Sequence, residues 1–308
     1  MGKKVEDIRE LIGDTPLIRL KRMGLPESVS CYAKLEAFNP GGSVKDRLGL
    51  ALIQAGERSG KLKPGGSIIE PTAGNTGIGL ALAAVGTDYQ VIFVVPQKFS
   101  EEKQELMRAL GAKVINTPTE AGIKGAIAKA QELAAEIPNS YCPQQFSNPA
   151  NPEAHYETTG PEIWEQMDGE IDIFIAGAGS SGTFMGVAKF LKEKNPSIRT
   201  VIVEPEGSII AGGEPGPHKT EGIGMEVIPD YFDRSYIDEV YTVTDEEAFP
   251  LVNQLAGQEG LLVGSSSGAA MYAALREAEK APTGSNIVVI FPDSSERYLS
   301  KKIYQGGV

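Results

Sequence analysis

The chain holds only two cysteines, Cys31 and Cys142, and two histidines, His155 and His218, among 308 residues. Two thiols cannot staple a small disulfide scaffold, and so few Cys and His cannot supply the usual zinc-ligand sets, so no metal is expected. Basic residues are outnumbered, 29 Lys+Arg against 41 Asp+Glu, for a net charge of −12. That balance denies the protein a broad positive footprint, and neither a nucleic acid nor a membrane surface is expected as a partner. No apolar run approaches the roughly 20 residues of a membrane span. The polar start MGKKVEDIRE lacks the apolar core of a signal peptide. These absences together predict a cytoplasmic protein. What is present is globular in kind, with 41% hydrophobic and 23% charged residues, enough for one large or two coupled domains.

Short apolar runs rich in β-branched residues alternate with segments of helical spacing. The runs Gln90–Val95 (QVIFVV), Ile171–Ala176 (IDIFIA), Thr200–Val203 (TVIV) and Ile287–Phe291 (IVVIF) read as strands covered on both faces. Helical spacing is found over Glu101–Leu110, Ile123–Ile137, Phe184–Glu193 and Ala269–Lys280. Strict alternation predicts βαβ units, hence an α/β protein with open, mostly parallel sheets. The stretch Cys142–Tyr156, with three prolines, is the expected crossing between two domains. A second irregular stretch, Gly207–Pro229, carries Glu221 and Glu226 and is of the length that is usually functional or mobile.

Three glycine-rich turns carry the chemistry. GAGSSG (Gly177–Gly182) follows a strand, precedes a helix and fits the G-x-G-x-x-G pattern, with Glu204 about 20 residues further on. Small residues there let backbone N–H groups meet a phosphate at the positive end of a helix. This leaves a nicotinamide-dependent dehydrogenase open, and a plain tight turn as well. GSSSG (Gly264–Gly268) imitates a hydrolase nucleophile elbow, yet no histidine follows position 218 to serve as its base. Ser266 is better read as a hydrogen-bonding group or a helix cap. EPTAGNTGIG (Glu70–Gly79) crowds Thr72, Asn75 and Thr76 around exposed backbone N–H groups, a nest for a carboxylate or an ordinary capped turn. In NPGGSVKDRLGLAL (Asn39–Leu52), Ser43 is a candidate cap that puts Lys45 in the first helical turn. The helix dipole disfavours a cation there, a setting that lowers a lysine pKa and suits Schiff-base chemistry.

Taken in order, GDTPL (Gly13–Leu17), LEAFNPGGSVKDR (Leu35–Arg47), EPTAGNTGIGLALA (Glu70–Ala83) and QQFSNPANP (Gln144–Pro152) form the first half of a pattern. GSSGT (Gly179–Thr183), EGIG (Glu221–Gly224), GSSSGAA (Gly264–Ala270) and PDSSERYLS (Pro292–Ser300) complete it. The whole resembles the fold-type II pyridoxal-phosphate enzymes, specifically the cysteine synthase and cystathionine β-synthase family, from about Ile12 to the end. The resemblance implies two open, mostly parallel α/β sheet domains with the active site in the cleft between them. Residues 39–148 would form the smaller N-terminal domain, and residues 12–38 plus 149–308 the larger, cofactor-phosphate-binding one. It also implies a homodimer.

Carried over by position, Lys45 resembles the lysine that bears pyridoxal phosphate and acts as the catalytic base. Asn75 resembles the side chain beside the cofactor's ring hydroxyl. Gly179, Ser180, Ser181, Gly182 and Thr183 resemble the phosphate cup, and Ser266 the partner of the pyridine nitrogen. Thr72, Ala73, Asn75, Thr76, Gln145 and Gly222 stand where the family holds the substrate amino acid, with Glu221 and Glu226 at the acceptor side. The implied reaction replaces the Cβ leaving group of O-acetylserine or serine with a thiol.

Several positions depart from the cysteine synthase pattern: Ala73 replaces a common serine, GSSGT a common GTGGT, and Glu226 a small residue. PTAGNTG, EGIGME and PDSSERYLS are most similar to the short bacterial cystathionine β-synthases, which predicts homocysteine as the thiol and small amino acids as the only partners. Cysteine formation from sulfide is the alternative, and a non-catalytic amino-acid-binding relative a further one. Neither a haem-binding extension nor a regulatory domain is visible in the sequence, so neither haem nor S-adenosylmethionine control is expected.

Overall fold

The computed structural model describes residues 4–72, 74–97 and 100–305. The chain divides into two compact units, one of Met1–Ile12 with Lys45–Asn151 and one of Gly13–Val44 with Pro152–Val308. In chain order the strands are β1 (Leu17–Leu20), β2 (Ser30–Leu35), β3 (Ser67–Pro71), β4 (Gln90–Pro96) and β5 (Lys113–Thr117). They continue with β6 (Ser140–Tyr141), β7 (Ile173–Gly177), β8 (Arg199–Pro205), β9 (Glu239–Val243) and β10 (Asn286–Phe291). The helices are α1 (Lys45–Arg58), α2 (Asn75–Ala84), α3 (Glu101–Ala109), α4 (Gly122–Glu136) and α5 (Ala150–Ala154). After these come α6 (Gly160–Gln166), α7 (Gly182–Lys194), α8 (Asp245–Gln254) and α9 (Ser265–Ala278).

In the first unit four parallel strands run in the order β5-β4-β3-β6. Strand side chains alternate between faces, so each central strand needs a cover on both sides. Ile68 packs with Leu48, Leu52 and Ile78 of α1 and α2, while its neighbour Ile69 packs with Ala126 and Ala130 of α4. The α1–α2 contact is made without side chains at its centre. A Cβ on Gly49 would lie 2.2 Å from the Gly79 carbonyl carbon, and one on Gly79 2.2 Å from the Lys45 carbonyl oxygen. Only glycine at both positions allows this approach, which sets the first turn of α1 against α2 one turn beyond Asn75.

The second unit has six strands in the order β1-β2-β10-β7-β8-β9, parallel except for the antiparallel β1–β2 pair. Phe174 of β7 packs with Phe184 of α7 on one face, and Ile175 with Ala270 and Ala273 of α9 on the other. The four strands expected from continuous apolar runs are present. Strand β2 is not visible in that way, because its Lys34 is fully buried. Lys34 Nζ donates to Thr15 O, Glu162 Oε2 and Gln166 Oε1, each at 2.8 Å, and so meets the requirement that a buried charge be paired. Residues 207–229 contain no helix or strand. Among the described residues no helix is long and apolar enough to cross a membrane, and no three His, Cys, Asp or Glu are grouped to hold a metal.

Candidate active site

In the first unit, Lys45 is the first residue of α1 and half-buried. Asn75 is the first residue of α2, also half-buried, and Gly74 before it provides no side-chain cap. Of the opening N–H groups of that helix, the one on Gly77 donates to Gly74 O at 3.1 Å. Thr72 and Thr76 are buried, as is Gln145. Thr72 Oγ1 accepts from Gly74 N at 3.4 Å, and Thr76 Oγ1 donates to Gln145 Oε1 at 2.8 Å. Turned this way, the Gln145 amide has its acceptor on Thr76 and its donors at Nε2. Ala73 lies outside the described residues.

The second unit assembles another cluster. Between β7 and α7, Ser180, Ser181, Gly182 and Thr183 are all buried. Ser181 adopts a left-handed conformation with φ +61°, and it caps α7 with no side-chain bond. Its hydroxyl instead donates to Ser180 O at 2.6 Å, and the Tyr231 hydroxyl donates to the same carbonyl at 2.8 Å. Thr183 Oγ1 lies 3.2 Å from His155 Nε2, whose Nδ1 lies 2.9 Å from Thr159 Oγ1. The loop of Gly222 packs onto this turn: a Cβ on Gly179 would be 2.4 Å from Gly222 O, and one on Gly222 3.9 Å from Ser266 Oγ. Gly224 N donates to Ala178 O at 2.8 Å, and Glu221 N to Ser265 Oγ at 2.9 Å. Gly179, Gly222 and buried Ser266 are therefore one cluster, with half-buried Glu221 at its margin. Glu226 is exposed and has no part in these contacts.

The start of α9 is held from below. Asp293, buried, accepts the Tyr298 hydroxyl. Burial, with the Asp293 charge beside it, holds that hydroxyl well above its ordinary range, so it stays a donor. Burial also pushes the Cys31 thiol up to about 12, and raises Cys142 together with the nearby Glu70 charge. Neither cysteine is a thiolate nucleophile near neutral pH.

Two competing patterns lose their key residues. Glu204, which a dehydrogenase would need at a ribose, is fully buried and accepts Ile210 N at 2.8 Å, Ala211 N at 2.9 Å and the Thr242 hydroxyl at 3.1 Å. The dehydrogenase reading is thereby corrected: that carboxylate shapes its own loop. For a hydrolase, Ser266 would need a histidine, but His155 engages Thr159 and Thr183 while His218 Nδ1 meets Thr220 O at 2.7 Å. The sequence reading passed over His155, Tyr231 and Glu70 as working residues. His155 had a faint signal, as one of two histidines standing four before Thr159. Tyr231 had none.

A family model described as pyridoxal-phosphate dependent enzyme matches residues 8–293. The O-acetylserine dependent cystathionine beta-synthase of Bacillus subtilis (strain 168) is 64% identical over 99% of this chain and 99% of its own. A cysteine synthase of Helicobacter pylori (strain ATCC 700392 / 26695) is 56% identical over 97% of this chain and 99% of its own. Among solved structures, the O-acetylserine dependent cystathionine beta-synthase from Helicobacter pylori superposes with a TM-score of 0.94 at 55% identity, covering 98% of this chain and 100% of that one. With a family model matched over residues 8–293 and likeness over nearly the full length of these relatives, the chain belongs to the pyridoxal-phosphate dependent enzymes.

Proposed function

We propose that the enzyme performs β-replacement on O-acetyl-L-serine, or L-serine, with L-homocysteine as the thiol, giving L-cystathionine. The observation that carries this reading is the 64% identity, over 99% of both chains, to an O-acetylserine dependent cystathionine beta-synthase.

The residues fit the cofactor. The start of α7 is buried and lacks a side-chain cap, which leaves backbone donors at the positive end of a helix for a phosphate dianion. Ser180, Ser181 and Thr183 add hydroxyls, and Gly179 and Gly182 let the backbone approach. Bound pyridoxal phosphate supplies the electron sink that acidifies Cα and allows the Cβ leaving group to depart. The Lys45 amine would hold the cofactor, and its Nζ would take the Cα proton of the substrate and return one at the end of the turnover. Asn75 would hold the cofactor's ring hydroxyl. Ser266 offers the ring nitrogen a neutral hydroxyl, which does not force a proton onto it as a carboxylate would. Thr72, Asn75, Thr76 and Gln145 would orient the substrate carboxylate through uncharged donors.

One of the two acids of this loop, Glu226 in preference to Glu221, reads the ammonium of homocysteine, a group sulfide lacks. Glu226, exposed in the same loop as Gly222, is the more accessible of the two. A partly desolvated pair of this kind contributes about 1.5–3 kcal/mol. Glu226→Ala should therefore slow homocysteine use roughly 10- to 100-fold and leave cysteine formation from sulfide nearly untouched. The test is a competition assay offering both thiols with O-acetylserine. Its second possible result, cysteine as the main product, is the cysteine synthase reading, favoured by the absence of Glu226 from the assembled cluster. A cytoplasmic homodimer acting in transsulfuration belongs to the same proposal, supported by the family resemblance.

A further inference from the structure

Glu70 ends the apolar run of β3 with a carboxylate that is 1% exposed. Its oxygens reach two consecutive backbone amides 74 and 75 positions away: Oε2 accepts Gln144 N at 3.0 Å and Oε1 accepts Gln145 N at 3.3 Å. Among the described residues no Lys, Arg or His forms an ion pair with it. The titratable side chains that feel its charge are Tyr141 and Cys142, both neutral and both raised in part by it. A buried carboxylate with amides as its partners is costly to keep, so its position asks for a reason.

The amides it holds belong to a turn the chain does not adopt by preference. Gln144 has φ +56°, in the left-handed region that side chains disfavour. The turn then closes on itself, with Ser147 N and Asn148 N both donating to Gln144 O at 3.0 Å. Gln145, next in line, is fixed at three further points of its structure: its N–H by Glu70, its Oε1 by Thr76 at 2.8 Å, and its carbonyl by Asn151 Nδ2 at 2.9 Å. Of these groups Glu70 is the acid, and it ties β3 to the strained residue. Charge-assisted bonds to backbone N–H are about twice as strong as neutral ones, which is what can hold such a conformation in place.

We infer that Glu70 is a positioning residue for amino-acid binding: its carboxylate, accepting the Gln144 and Gln145 amides, sets the direction in which the Gln145 amide meets the substrate carboxylate. This inference rests on the proposed role of Gln145. It acts through the backbone of the turn, with no contact to substrate or cofactor required of Glu70 itself.

The experiment is made on the cofactor-loaded enzyme near pH 8 with Glu70→Gln, Glu70→Ala and Gln145→Ala. The readouts are KM and kcat for O-acetylserine, spectral titration with L-serine, and the visible band of the bound cofactor. Gln retains one acceptor and presents an NH2 to the other amide, so Glu70→Gln should weaken amino-acid binding roughly 5- to 30-fold, with kcat within about two-fold and the band unchanged. Glu70→Ala should weaken it further, since both bonds are lost. If Gln145→Ala leaves amino-acid affinity unchanged, the reading of Gln145 fails and the inference falls with it. If Gln145→Ala weakens binding and Glu70→Gln does not, the inference alone is overturned. Should the Glu70 variants fail to fold, amide hydrogen exchange in the wild-type enzyme decides: Gln144 and Gln145 must exchange slowly, and rapid exchange of both overturns the inference.

Discussion

The turn before α7 and the turn at the end of β3 are both polar pockets at the start of a helix, but they are made of different materials. The first is backbone: a buried, uncapped helix start in which six contiguous residues, Gly177–Gly182, supply the whole turn. The second is side chain: Thr76 at the start of α2, Gln145 from the 142–148 turn and Glu70 of β3, joined by bonds of 2.8–3.3 Å, with Thr72 accepting Gly74 N at 3.4 Å. On the proposed function, a phosphate that stays bound through every turnover suits backbone donors that do not move. A substrate that arrives and leaves suits a pocket whose parts can shift, and here one of those parts is an acid.

Removing the lysine breaks the comparison most severely. On the proposed role of Lys45, Lys45→Ala removes covalent anchoring and the Cα base together, so turnover should fall at least about 10³-fold. The turn at α7 is untouched, so added pyridoxal phosphate should still raise the unfolding temperature. Loss of that thermal shift in the variant would show that the two pockets do not divide the work in this way.

The next effect distinguishes the two by pH. Burial raises Glu70 from 4.5 to about 7, more than the Gln144 and Gln145 amides lower it. A carboxyl whose folded pKa lies above its unfolded value stabilises the fold fully below the unfolded pKa, and that stabilisation disappears as pH rises through about 7. Between about pH 5.5 and pH 8 the wild type should lose on the order of 2 kcal/mol more than Glu70→Gln, measured by chemical denaturation. Equal pH dependence in the two proteins would remove Glu70 as the source.

The smallest effect concerns strain in the backbone pocket. Ser181 at φ +61° occupies a conformation that glycine adopts freely. Ser181→Gly should stabilise the protein by up to about 1 kcal/mol, and Ser181→Ala should not, because alanine has the same Cβ. A stability rise with alanine would mean that the Ser181 hydroxyl, donating to Ser180 O, is the strained element.

The strands β4, β7, β8 and β10 were readable from the chain because central parallel strands are continuously apolar, and the helices α3, α4, α7 and α9 because their apolar positions keep a period of 3.6. Strand β2 escaped that reading because a polar cluster buries Lys34 in it. GSSGT could be read as a phosphate turn since all its donors are neighbours in sequence. The GAGSSG–Glu204 pairing misled for the opposite reason: the spacing was right, but the loop 205–211 folds back onto that carboxylate.

By itself the sequence determined the α/β class and the pyridoxal-phosphate family, because these reside in contiguous motifs whose local geometry repeats wherever the motif occurs. Tertiary structure alone decided that Gly222 lies between Gly179 and Ser266, that His155 meets Thr183, and that Glu70 holds Gln145. Each of those contacts joins residues tens of positions apart, and a hydrogen bond between distant residues leaves no periodicity in the chain that forms it. Only when β3 and the 142–148 turn are brought side by side, through parallel pairing of β3 with β6, does the buried acid acquire its partners and the Gln145 amide its direction.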